Sequence, residues 1–271
     1  MKKSLRFVLV AMFLWIGALS ASAGPKGGAS EEAAMPPVEV VQYFHHKITD
    51  RNFELAYDVL TEDYKSLFGS CEDFKNRYAA TLRSRPHSFR VLEQTGSSAR
   101  VSYVVEARDW MDDAHIVEQT FVCETVLKKV NGAWLMDGGK GKATERMELT
   151  SRQSAAAVLS SYHDCITAGE MRAAWNLLGS DYQNSFGDFS AFVNGFATTV
   201  SSEVHDIVPV ADGPGMLNLE YTLTAKDATE ETDVVQVFQG MAALEVVPGR
   251  GWRILSAENR LVDRYFPPKW Q

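Results

Sequence analysis

AYDVLTEDYKSLFG (Ala56–Gly69) and AWNLLGSDYQNSFG (Ala174–Gly187) are two copies of one pattern. Six of their 14 positions are identical, and Tyr57/Trp175, Asp58/Asn176 and Val59/Leu177 exchange like for like. The copies lie 118 residues apart, and the same offset relates Phe44 to Tyr162, His45 to His163, Ile48 to Ile166, Phe74 to Phe192, Tyr103 to Tyr221 and Trp134 to Trp252. A period this long means a duplicated domain, not a solenoid of short repeats. Carried without a gap from residue 44 to 134, it aligns Cys71 with Phe189 and Cys123 with Met241, which marks both cysteine positions as core.

Each copy opens with helical periodicity. Val40, Val41, Phe44 and Ile48 recur at helical spacing, as do Val158, Leu159, Tyr162 and Ile166. A second helix carries Phe53, Ala56, Tyr57 and Leu60, and a short segment through Tyr64 and Phe68 stops at Gly69, where positive φ is tolerated. Ser70 and Asp188 then read as N-caps of a third helix. After that the period becomes two. Val101, Tyr103, Val105 and Ala107 alternate with polar positions, and Leu219, Tyr221, Leu223 and Ala225 repeat the alternation. A long strand from about Val117 to Val130, an Asn131-Gly132 hairpin turn and a short strand at Trp134 complete the first copy. Helices followed by antiparallel strands define an α+β domain.

The N-terminus reads differently. Lys2, Lys3 and Arg6, the apolar run Phe7–Leu19 and Ala21-Ser22-Ala23 have the layout of a secretory signal peptide over residues 1–23. Residues 24–36 are then a disordered mature N-terminus, 37–137 the first domain, 138–150 a glycine-rich linker and 151–266 the second domain. Without the signal, 24 Lys and Arg face 35 Asp and Glu, a net charge of −11. Such a chain repels nucleic acid and anionic membrane surfaces. The expectation is a secreted or periplasmic protein with no membrane span after cleavage and no lipid-modified cysteine. Export permits a Cys71–Cys123 bridge, and it equally permits three buried thiols at Cys71, Cys123 and Cys165.

The two aromatic junctions, L-x-x-D-Y-x-x-x-F-G-x-x-x-x-F, set between helices and strands, resemble the nuclear transport factor 2-like superfamily, which shares its cone-shaped fold with ketosteroid isomerase. The resemblance implies two tandem cone-shaped domains, each of three N-terminal helices packed on a strongly bent antiparallel sheet with a pocket inside. It also implies that the two copies pair as an internal pseudo-dimer.

Enzymes of this superfamily place a carboxylate or His in the cone, where burial tunes its pKa. The strand faces read as inward carry Val101, Tyr103, Val105, Ala107, Phe121, Cys123, Thr125 and Leu127, with Glu106 and Glu124 on the opposite parity. No catalytic residue, cofactor or metal site is therefore assigned. His45 and His46 are adjacent and do not share a helical face. The acidic tip at Asp109, Asp112, Asp113 and His115 reads as a solvated turn. The candidate pocket lining is Tyr103, Phe121 and Tyr57 in the first copy and Tyr221, Trp175 and Met241 in the second. The expected function is a non-enzymatic protein of the cell envelope that binds a small apolar ligand or a protein partner. An isomerase or dehydratase and an accessory module for cell-wall enzymes are the alternatives. Function is expected where the copies differ, as in Arg83-Ser84-Arg85-Pro86-His87 against Ser201-Ser202-Glu203-Val204-His205.

Overall fold

The computed structural model describes residues 35–213, 215–229 and 232–267. The segment read as a signal peptide and nearly all of the expected disordered segment lie outside the described residues. No described helix is long and apolar enough to cross a membrane. The chain is α+β and forms two compact units. Unit 1 takes the described residues up to Ile48, Asn52–Ala107 and Gln119–Arg146. Unit 2 takes Thr49–Arg51, Arg108–Glu118 and the chain from Met147 onward.

The first copy runs α1 (Pro37–Thr49), α2 (Phe53–Asp58), α3 (Glu62–Ser66), α4 (Cys71–Tyr78), β1 (Thr81–Gln94), β2 (Ser98–Trp110), β3 (Ile116–Val130) and β4 (Ala133–Glu148). The second repeats the order as α5 (Ser151–Ala168), α6 (Met171–Asn176), α7 (Ser180–Ser185), α8 (Phe189–Gly195), β5 (Thr199–Gly213), β6 (Met216–Ala228), β7 (Asp233–Val247) and β8 (Gly251–Tyr265). Each sheet has four strands in sequential order. The short aromatic segment thus becomes a helix of its own, giving four helices per copy where three were expected.

The local chemistry explains the helix boundaries. Thr61 Oγ1 accepts the Tyr64 N–H at 3.2 Å, and Ser70 Oγ accepts that of Asp73 at 3.1 Å. Asp188 does the same for Ala191 at 2.8 Å. Gly69 and Gly187, where each α3-type helix ends, have φ of 87° and 89°. One face of α1 buries Val40, Val41, Phe44 and Ile48 against the sheet, as the helical spacing requires. The fully buried Phe74 gathers Phe44, Tyr57, Phe68 and Tyr78 edge-on or tilted, and Phe192 does this in unit 2 for Tyr162, Trp175, Phe186 and Phe196.

Three sequence expectations change. The sheets are not strongly curled. Bending a sheet needs bulges, yet β6 and β7 pair from Met216↔Glu245 to Ala228↔Asp233 without a register shift. The breaks fall only at β5–β6 and β7–β8 within this sheet. The segment read as a linker, 138–150, is strand as far as Glu148, because β4 continues well past Trp134. β1 and β5 carry no alternation that the sequence shows, because their outer halves are exposed on both faces.

The tip of the β2–β3 hairpin belongs to unit 2, and Arg108 anchors it there. Its Nε donates to Glu118 at 2.8 Å, and its Nη1 donates to Ser161 Oγ at 2.8 Å and to the Ala157 carbonyl at 3.2 Å. The Ile116 N–H donates to Ser154 Oγ at 3.0 Å, and Leu149 N–H donates to the Ile116 carbonyl at 2.9 Å. Arg108→Met is expected to cost about 2 kcal/mol, since it leaves Glu118 and the α5 acceptors without their donor. Urea unfolding checks this, and an unchanged midpoint would show that the cluster is neutral.

Candidate functional site: the interior of each unit

The expected inward face is the observed one. Val101, Tyr103 and Val105 of β2 and Phe121, Thr125 and Leu127 of β3 are buried, while Glu106 is exposed. In unit 1, α1 brings His45 onto this face, with Nδ1 2.8 Å from Ser84 Oγ on β1. The Tyr103 ring meets His45 edge-on at 5.6 Å and stacks on Phe89 at 5.7 Å. Cys123 lies beside Tyr103, and burial pushes its thiol up to about 11. Its Sγ covers Gly141 of β4, where an added Cβ would lie 3.3 Å from the sulfur.

Unit 2 repeats this arrangement with one exchange. His163 Nδ1 is 2.7 Å from Ser202 Oγ, and Thr167 fixes Ser202 by accepting its N–H at 2.8 Å and donating to its carbonyl at 3.0 Å. Tyr221 lies flat over Gly240, whose added Cβ would be 2.3 Å from the ring. The Tyr221 hydroxyl donates to Asn259 Oδ1 at 3.0 Å. Tyr103, 6% exposed, has no such partner: its hydroxyl makes no hydrogen bond among the described residues.

The exchange exposes a slip in the repeat. Gly240 is the cross-strand neighbour of Tyr221, so it corresponds to Cys123 at an offset of 117, not 118. The same offset of 117 aligns buried Thr125 with Ala242 and buried Leu127 with Leu244. The offset returns to 118 at Trp134/Trp252, because a longer Pro248-Gly249-Arg250 turn replaces Asn131-Gly132. A one-residue slip moves a whole strand to the other face. Met241, expected to line a pocket, is therefore 47% exposed. Gly141 and Asn259, which correspond at 118, complete the exchange: Cys123–Gly141 in one unit, Gly240–Asn259 in the other.

Of the residues read as pocket lining, Tyr103, Phe121 and Tyr221 are buried on the inner faces. Tyr57 and Trp175 join the aromatic clusters around Phe74 and Phe192 instead. Cys71, Cys123 and Cys165 are free thiols. Cys71 stands at the start of α4 near Glu54, Asp58 and Glu72, whereas Cys123 is in the sheet beside Tyr103, so the bridge does not form.

An acid and two histidines reach the interiors from places that the strand alternation does not mark. Asp109 continues the inward parity of β2 and is buried, and His45 and His163 enter from the helices. Burial pushes His45 down to about 3 and His163 down to about 4. A general base works best with a pKa near the operating pH, and these imidazoles are far below it. Serines 84 and 202 lie in the very segment where the copies were expected to differ, and they are what the two copies share. The acidic hairpin tip is used internally. Asp112 Oδ1 accepts the Ala114 and His115 N–H groups at 2.8 and 2.9 Å, and Asp113 accepts that of Gly249 at 2.9 Å. Among the described residues, no group of three or more His, Cys, Asp or Glu could hold a metal ion.

No protein-family profile and no curated protein matches the chain. Several solved structures are similar in part, three of which follow. A SEC-C motif-containing protein from Rhodopseudomonas palustris shares 15% identity over 40% of this chain and 79% of its own, with a TM-score of 0.32. An Ntf2-like protein involved in plasmid conjugation shares 10% over 76% of this chain and 92% of its own, with a TM-score of 0.27. A cystatin-like protein from Ruminococcus gnavus shares 8% over 83% and 92%, with a TM-score of 0.26.

Proposed function

We propose that this is an exported, non-enzymatic protein of two nuclear transport factor 2-like domains, and that unit 1 binds a small apolar ligand carrying one hydrogen-bonding oxygen. The observation that carries this reading is the Tyr103 hydroxyl, which belongs to a side chain only 6% exposed and makes no hydrogen bond among the described residues, while its duplicate Tyr221 is capped by Asn259. Buried polar groups are nearly always satisfied, and leaving one unsatisfied is costly. A ligand carbonyl would complete Tyr103 as the Asn259 carbonyl oxygen completes Tyr221. Its neighbours Phe89 and Cys123 are weakly polar or apolar, as most groups in small-molecule sites are, and the neutral His45 ring meets it edge-on. The depressed His45 and His163 pKa values support binding rather than proton-transfer chemistry.

The test is titration of the full protein with prodan, an apolar fluorescent naphthyl ketone. Saturable, blue-shifted binding at one site per chain is expected. Tyr103→Phe should weaken it roughly 2- to 10-fold, the worth of one hydrogen bond, and Tyr221→Phe should leave it unchanged. Binding that ignores Tyr103→Phe, or that is absent altogether, overturns the reading. Turnover of a ketosteroid by the protein would instead favour the isomerase alternative.

A further inference from the structure

Arg253 stands apart from the Tyr221 interior. It lies on β8, between the core residues Trp252 and Ile254 and on the opposite face from them, and is only 9% exposed. Its Nη1 donates to the Trp252 carbonyl at 2.7 Å. Its Nε is buried with no hydrogen-bond partner, and its Nη2 makes no bond among the described residues. Buried guanidinium groups are ordinarily paired, because an uncompensated charge away from water is strongly unfavourable. This one keeps a complete side-on fork, the Nε–Nη2 edge, unused.

The surroundings add positive charge. Burial first, then the neighbouring Arg250 and Arg51, lowers the Arg253 pKa to about 10, with Asp113 acting in the opposite direction. Neither neighbouring carboxylate occupies the fork. Asp113 accepts the Gly249 N–H, and Glu245, the cross-strand partner of Arg253, forms no ion pair with it. The hairpin tip closes over this strand end, with Trp252 Nε1 donating to the Ala114 carbonyl at 3.1 Å and Trp110 packed on Gly251. The planar fork of an arginine matches a carboxylate with two parallel N–H···O bonds.

We propose that the Nε–Nη2 edge of Arg253 is a binding site for the carboxylate of a small monoanionic acid. The site is in unit 2 and does not depend on the apolar interior of unit 1. Arg253 supplies the fork, Arg250 and Arg51 add positive field, and Glu245 is its cross-strand neighbour.

The experiment is thermal unfolding of the full protein in sodium propionate against sodium chloride at equal ionic strength, with inorganic phosphate as a third arm. Saturating propionate is expected to raise the unfolding temperature by about 5 °C. Arg253→Met, an exchange that buried charges often tolerate, should abolish the rise. Arg253→Lys keeps the charge but loses the fork, and should weaken binding about 10-fold. Glu245→Gln should tighten it. The proposal fails if chloride gives the same rise, if Arg253→Met retains it, or if phosphate outperforms propionate. Should Arg253→Met not fold, Arg253→Lys decides, since an unchanged propionate response there removes the fork from the argument.

Discussion

Lowering the pH from 7 to 4 is expected to cost the protein roughly 3 kcal/mol of stability through His163 alone. His163 is 6% exposed and its pKa falls from 6.5 to about 4 because burial penalises the charged ring. The unfolded chain therefore binds the proton more tightly than the folded one. The His163 contribution is fully present above the unfolded pKa of 6.5 and is lost as pH falls from there toward the folded value. His45 shifts in the same direction, to about 3, also through burial, and adds to the same acid response. Urea midpoints measured between pH 7 and pH 4 should fall steeply, and the fall should shrink in His163→Gln, which keeps a hydrogen-bonding group for Ser202 but does not titrate. An identical pH slope in that variant would show that carboxylates alone drive the acid response.

The parts of the fold that sequence made readable are those where local chemistry and burial agree. The Gly69 and Gly187 helix ends, the Ser70 and Asp188 caps, the Asn131-Gly132 turn and the alternation around Tyr103 each specify a backbone state through a named residue. What stayed hidden is what no local residue encodes. β1 and the outer part of β4 are mostly exposed, so they carry no alternation to read. The bending of the sheet depends on bulge placement. The unit boundary depends on Arg108, an ordinary charged residue in sequence, finding Ser161 and Glu118.

The candidate site was legible in the same uneven way. Tyr103 and Tyr221 stand out because both hold the inward parity at one offset. Their partners do not, because the third strand slips by one residue between the copies. That slip replaces Cys123 by Gly240 and leaves a small residue where the other unit has a larger one. Gly141 and Asn259 make the opposite exchange. Two equal interiors thereby become unequal: the Tyr221 hydroxyl is satisfied by Asn259, and that of Tyr103 makes no hydrogen bond among the described residues.

Gly240→Ala is expected to destabilise unit 2 by about 3 kcal/mol or more. The added Cβ would lie 2.3 Å from Tyr221 Cζ, 2.4 Å from its Cε2 and 2.6 Å from Asn259 Oδ1. Contacts that short cannot be relaxed by tenths of an ångström, so the ring must leave. Tyr221 is fully buried, and overpacking such a site typically costs 1–3 kcal/mol. Moving the ring also breaks its bond to Asn259 and leaves a buried hydroxyl unsatisfied, worth about 1–3 kcal/mol more. Cys123→Gly in unit 1 is the opposite change and should cost less, since it removes a thiol and adds no contact. The decisive measurement is the double variant Gly240→Ala with Tyr221→Leu, which removes the colliding ring. It should unfold at a higher urea concentration than Gly240→Ala alone, although Tyr221→Leu by itself lowers stability. Simple addition of the two losses would mean that the glycine matters for its backbone freedom and not for the tyrosine above it.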